Sequence, residues 1–131
     1  MVKGLRGFIC LAALLIFSAC GSPGDEISCM LSIYTDEGAV LAETEIIFNE
    51  GRTVLDILKK ATRDAGIHME YTGAGGAAYV KGIANLYEFD QGPESGWVYT
   101  VNGETRGESA GAFKPGRGDV VVWQYIRVFT P

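Results

Sequence analysis

The sequence has 131 residues, enough for one domain and too few for two. Its 11 Lys and Arg stand against 16 Asp and Glu, a formal net charge of −5, which argues against nucleic acid, whose phosphates demand a basic face. Eighteen glycines imply many turns and therefore a strand-rich fold rather than a helical one.

The chain opens with Lys3 and Arg6, continues through an apolar run over residues 8–17, and closes that run with Ser18, Ala19 and Cys20. About ten apolar residues are too few to span a bilayer as a permanent helix. Basic start, short apolar core and small residues at the end make a secretory signal peptide. Its removal leaves nine basic residues against sixteen acidic ones, a net of −7. Phe17-Ser18-Ala19-Cys20 resembles the lipobox of bacterial lipoproteins, with Phe17 where that family usually carries Leu. The resemblance implies a signal peptide over residues 1–19 and acylation of Cys20. It also implies an extracytoplasmic domain held at a bacterial cell membrane. Gly21-Ser22-Pro23-Gly24 then serve as a flexible tether, over residues 20–26 in all. With Cys10 in the leader and Cys20 acylated, Cys29 is left alone, so no intramolecular disulfide is expected. Cys29 is expected as a buried thiol in the first strand.

Residues 27–35 alternate, with Ile27, Cys29, Leu31 and Ile33 on one face and Ser28, Met30, Ser32 and Tyr34 on the other. Asp36-Glu37-Gly38 turns the chain, and residues 40–48 alternate again, so the pair predicts an antiparallel hairpin. After a second turn at Asn49-Glu50-Gly51, Thr53 is placed to cap a helix, with Asp56 as the acid of a capping box. Val54, Leu55, Ile57, Leu58, Ala61 and Ala65 form the apolar stripe of an amphipathic helix that ends at Gly66. Lys59, Lys60, Arg63 and Asp64 fall on its solvated face.

Residues 67–72 predict a strand, Gly73-Ala74-Gly75-Gly76 a turn, and residues 77–86 a further strand. Residues 85–96 form a polar loop that carries Leu86, Tyr87 and Phe89; aromatic groups there suit either binding or closure of one end of the core. Trp97, Tyr99 and Val101 alternate with Val98 and Thr100, a strand, and Asn102-Gly103 suits a type I′ turn. Trp97 thus lies where a loop enters a sheet, as core or as a ligand platform. Residues 104–113 read as irregular, and residues 120–128 as a last, central strand with Trp123 and Tyr125. The sum is an α+β domain over residues 27–131, a mixed or antiparallel sheet with one packed amphipathic helix.

The chemistry of catalysis is sparse. His68 is the single histidine, so neither a zinc set nor a Ser-His-Asp triad can be assembled from the composition. Asp90 and Glu94 are the pair that a glycosidase reading would need, without a cleft to support it. A non-catalytic protein with no metal and no cofactor is the expectation.

Four stretches carry a family resemblance. They are Gly51-Arg52-Thr53-Val54-Leu55-Asp56-Ile57-Leu58, Tyr79-Val80-Lys81-Gly82-Ile83, Gly92-Pro93-Glu94-Ser95-Gly96-Trp97-Val98-Tyr99-Thr100-Val101-Asn102-Gly103, and Gly118-Asp119-Val120-Val121-Val122-Trp123-Gln124-Tyr125. Together they resemble the transcobalamin-like C-terminal domain, over about residues 27–129. The resemblance implies a β-grasp-like fold and non-catalytic binding of a small soluble ligand. In animal cobalamin carriers this domain closes over one face of the corrinoid, so cobalamin or another corrinoid is the ligand it suggests, with a transporter as the partner for handover. Carried over by residue, the contact region is Ser95, Gly96, Trp97 and Tyr99, flanked by Tyr79, Tyr87 and Phe89. The rival expectation is a cell-surface module that binds a protein or glycan through the same aromatic residues.

Overall fold

The computed structural model describes residues 24–128. The expected signal peptide, Cys20, most of the tether and residues 129–131 lie outside the described residues.

Strand β1 (Glu26–Thr35) and strand β2 (Gly38–Asn49) form the expected hairpin, pairing antiparallel from Glu26 opposite Asn49 to Thr35 opposite Gly38. Helix α1 (Val54–Ala65) follows. Its start is the predicted capping box: the Asp56 amide donates to Thr53 Oγ1 at 3.2 Å, and the Thr53 amide donates to Asp56 Oδ2 at 3.1 Å. Its end is Gly66 at φ 68°, a left-handed conformation that a side chain would disfavour. Val54, Leu55, Ile57, Leu58 and Ala61 are buried, as the helical spacing requires.

The later strands are shorter than the sequence suggests. Strand β3 is Met69–Thr72 and strand β4 is Tyr79–Ile83. The expected strand over residues 77–86 is interrupted, because Ala84 and Asn85 both take positive φ, 55° and 63°, and turn the chain into strand β5 (Leu86–Tyr87). Left-handed backbone at an alanine carries no sequence signal, since the conformation disfavours any Cβ. Strand β6 (Gly96–Val101) and strand β7 (Glu104–Thr105) are joined through Asn102 and Gly103, at φ 54° and 79°, the predicted turn. Strand β8 (Val120–Ile126) closes the series, two residues short of the expected end.

The strands build two sheets. The larger has the order β2-β1-β8-β6-β7, and the smaller β3-β4-β5. β1 and β8 run parallel, with Leu31 opposite Val121 and Ile33 opposite Trp123; the other neighbours are antiparallel. The last strand is therefore central, as its apolar character predicts, and the architecture is α+β with a mixed sheet and one packed helix. Leu31, Ile33, Val101, Val121 and Trp123 meet Val54, Ile57 and Leu58 of the helix in one buried cluster. Fully burying one such aliphatic side chain stabilises a fold by about 1.5–3 kcal/mol. The segment 109–113 closes that cluster at the helix start, where the amides of Leu55 and Val54 donate to the carbonyls of Ala110 and Phe113.

Candidate functional site

The aromatic strands place the expected contact residues at two depths. Trp97 and Tyr99 lie on the core-facing side of β6, opposite Tyr125 and Trp123 of β8. Trp97 is 5% exposed and Tyr99 8%. The Trp97 indole meets the Tyr125 ring edge-on at 5.3 Å, and its Nε1 donates to the Leu86 carbonyl at 2.8 Å. Tyr99 tilts against Trp123, also at 5.3 Å, and donates its hydroxyl to the Glu108 carbonyl. Burial and the Glu108 carboxylate raise the Tyr99 pKa, while Arg106 opposes them.

The loop beyond β5 hangs from these strand aromatics. The Tyr125 hydroxyl lies 2.7 Å from the Tyr87 carbonyl oxygen and 3.0 Å from Ser95 Oγ. Ser95 is buried, and its hydroxyl donates to the Gly92 carbonyl while accepting from the Gln91 amide. The Tyr87 ring packs on Gly82, where a Cβ would stand 2.5 Å from Tyr87 Cδ1. That pair places Tyr87 against β4 and explains the glycine within a strand. Ser95 and Tyr87 are thus scaffold atoms of the loop.

Phe89 and Tyr79 are the exposed members, at 63% and 47%. Phe89 is held at φ 69° by its amide donating to the Ser95 carbonyl at 2.9 Å. A bulky residue in left-handed backbone costs of order 1–2 kcal/mol and persists where its surroundings enforce it. A Cβ on Gly96 would stand 3.6 Å from the Tyr79 hydroxyl, so that strand start and Tyr79 adjoin. Burial of its hydroxyl end, together with the neighbouring Glu88 carboxylate, pushes the Tyr79 pKa up to about 12. Tyr79, Phe89, Ser95, Gly96 and Trp97 share a small hollow of about 260 Å³.

A larger concavity of about 690 Å³ lies on the other side of Tyr79 and Trp97. Its walls are β4, β6, the centre of β8 and the segment from Thr105 to Ala110. Tyr79, Trp97, Tyr99 and Trp123 give it aromatic walls, and Arg106 is the cation among its lining residues. Ser109 fixes the outer wall, its hydroxyl donating to the Ala78 carbonyl at 2.7 Å and accepting from the Gly111 amide at 3.1 Å. Two buried donors on this lining, Trp123 Nε1 and Arg106 Nε, have no hydrogen-bond partner among the described residues. Buried donors are nearly always paired, so the two stand out, although both atoms lie beneath the lining surface. The Arg106 guanidinium is otherwise engaged, 5.1 Å from the Phe113 ring centre and 3.6 Å from Glu104 Oε2.

The structure therefore gathers Tyr79, Trp97 and Tyr99 around one concavity and puts Ser95, Gly96 and Phe89 beside the smaller hollow. Tyr87 lines neither. Sequence reasoning missed Trp123, Arg106 and Ser109. The strand alternation held a signal for Trp123, which shares parity with Tyr125 and Val121; its position opposite Tyr99 depends on a pairing that alternation cannot supply. Among the described residues, no three His, Cys, Asp or Glu side chains converge as a metal site.

Comparison with other proteins bears on this geometry. Residues 51–127 match the family described as a domain of unknown function, DUF4430. The chain belongs to the DUF4430 family. A search of curated proteins found no match. Among solved structures, this DUF4430 chain is similar to haptocorrin in complex with Cbi, with a TM-score of 0.64 and 19% identity over 81% of the chain. The similar region is 26% of the haptocorrin chain, so the DUF4430 chain spans about a quarter of that protein. It is also similar to a candidate metal binding protein from Ruminococcus gnavus ATCC 29149. There the TM-score is 0.58 and the identity 12%, over 79% of this chain and 99% of that one. At these identities the likeness is one of fold, and it agrees with the transcobalamin-like resemblance of the sequence.

Proposed function

We propose that this DUF4430 chain is a membrane-anchored extracytoplasmic lipoprotein, acylated at Cys20. In this reading it binds a soluble ligand without catalysis and hands it to a transporter. A corrinoid, cobalamin or a relative, is the first candidate. The carrying observation is the concavity of about 690 Å³, with its aromatic walls and two unpartnered buried donors. Its volume falls in the range of small-molecule sites, and aromatic walls with a few convergent polar groups are the usual lining of such sites. A corrinoid offers a large flat face to the exposed Tyr79 ring, and its peripheral amide carbonyls suit Trp123 Nε1 and Arg106 Nε once the lining opens to uncover these buried atoms. Haptocorrin's complex with Cbi supports the choice of ligand class. An open concavity covers one face of such a ring and leaves the other to solvent or to a partner, which argues for modest affinity and ready release.

The exposed Phe89 favours a second reading, a surface module that docks a protein or glycan. Titration of the protein with cobalamin and cobinamide, followed by tryptophan fluorescence and calorimetry, separates the two. Saturable one-to-one binding supports the carrier reading. No heat and no quenching at high micromolar ligand discards the corrinoid and brings the docking module forward.

A further inference from the structure

We propose that the basic cleft between α1 and the free edge of β2 docks on anionic phospholipid headgroups, and so sets how the domain sits on its membrane. β2 is an edge strand of the larger sheet. Between it and the helix lies a cleft of about 450 Å³, which shares no lining residue with the aromatic concavity, with Arg52, Lys59, Lys60 and Arg63 on its walls. Residues 24–128 hold nine Lys and Arg and sixteen Asp and Glu, so four of nine cations gather at one place on an acidic domain. Asp56 is the carboxylate on this lining, and its Oδ2 accepts from the Thr53 amide in the helix cap. Among the described residues, Arg63 alone of the four has a carboxylate within 4 Å, Asp64 at 3.8 Å, and both of these side chains are well exposed. Lys60 reaches across the cleft to donate to the Ile47 carbonyl, and Lys59 lies 3.2 Å from the Tyr71 hydroxyl. Both lysines are thus held by neutral partners, which leave their charge uncompensated.

The place of this cleft in the chain chooses the occupant. The Asp25 carbonyl accepts from the Glu50 amide at 2.8 Å, and a Cβ on Gly24 would stand 2.3 Å from the Glu50 carbonyl oxygen. The chain therefore joins the fold against Glu50, two residues from Arg52. Cys20 lies four residues before Gly24, a reach of roughly 14 Å at full extension. An acyl chain on Cys20 would hold this end of the domain close to the bilayer. Attraction to anionic lipid decays over about 8 Å at physiological salt, so only a face near the tether can use it. Four flexible cations spread along an open cleft suit several headgroups better than one enclosed phosphate. The occupant rests on the anchored-lipoprotein reading above; the cleft's preference for anions does not.

The test is lysine footprinting on the full chain, purified from membranes and reconstituted into neutral phosphatidylcholine vesicles or vesicles with phosphatidylglycerol. Flotation is measured on the same samples. Each basic residue near an anionic surface contributes about fivefold in partition. Acetylation of Lys59 and Lys60 is expected to fall about fivefold or more on the anionic vesicles, with Lys81 and Lys114 unchanged. Added salt, or the double variant Arg52→Glu with Arg63→Glu, should restore it. Flotation with unchanged labelling overturns this proposal and leaves the anchor standing. Failure to float with either vesicle overturns both. Equal protection on neutral vesicles by millimolar inorganic phosphate assigns the cleft to a free anion and overturns the lipid.

Discussion

Replacing Trp97 by phenylalanine tests whether the loop that carries Phe89 is hung from the sheet as described. The indole is 5% exposed, bonded to the Leu86 carbonyl at 2.8 Å and set edge-on to Tyr125 at 5.3 Å. Phenylalanine keeps a ring on the strand but cannot donate. Loss of the hydrogen bond costs about 1 kcal/mol, since Leu86 is half-buried and water can reach its carbonyl only in part. The lost ring volume and weakened aromatic contact add about 1–2 kcal/mol. The sum, about 2–3 kcal/mol, corresponds to a fall in Tm of roughly 10–20 °C for a domain of this size. Urea unfolding followed by circular dichroism gives the value, with m unchanged if the unfolded state is unaffected. A loss below about 0.5 kcal/mol would refute the reasoning, because it would leave Trp97 with no structural task.

Other outcomes follow from the same contacts. Thr53→Ala should cost about 1 kcal/mol by removing the cap of α1, read as a shifted urea midpoint. The Cys29 thiol is buried, and desolvation, helped by the Asp119 carboxylate, pushes its pKa from 9.0 up to about 11. It should therefore resist a thiol reagent at pH 8 in the native protein and react promptly in denaturant. Because the folded state favours the neutral thiol, that share of stability is complete below pH 9 and is lost as the pH rises towards 11, which Cys29→Ala should flatten. Cys20→Ala should release the protein from membranes and abolish the lipid mass on its N-terminus; retention unchanged would remove the anchor from the account.

The fold was legible where local physics and tertiary packing agree. The hairpin of β1 and β2, the capping box at Thr53 and Asp56, the stop at Gly66 and the turn at Asn102-Gly103 all follow from period and backbone preference. The division of residues 77–86 into β4, a turn and β5 was not legible, because Ala84 gives no sign of positive φ. The candidate site was legible only in part for a related reason. Alternation puts Trp97 and Tyr99 on one face, but it cannot tell that this face packs into the core at Val101 and borders a concavity at Trp97 and Tyr99. Nor can it bring Arg106 and Trp123 to that concavity, since both arrive through long-range pairing and an irregular segment.

The most direct measurement of the central claim uses the two tryptophans as reporters. In a ¹⁵N spectrum of the protein, Trp97 and Trp123 give the two indole N–H signals. Titrated with cobinamide, the Trp123 signal should shift downfield and saturate at one equivalent as its unpartnered donor finds an acceptor. The Trp97 signal should move little, because Leu86 already holds its proton. Both signals unmoved at saturating cobinamide, or Trp97 shifted and Trp123 still, would contradict a ligand site in this concavity.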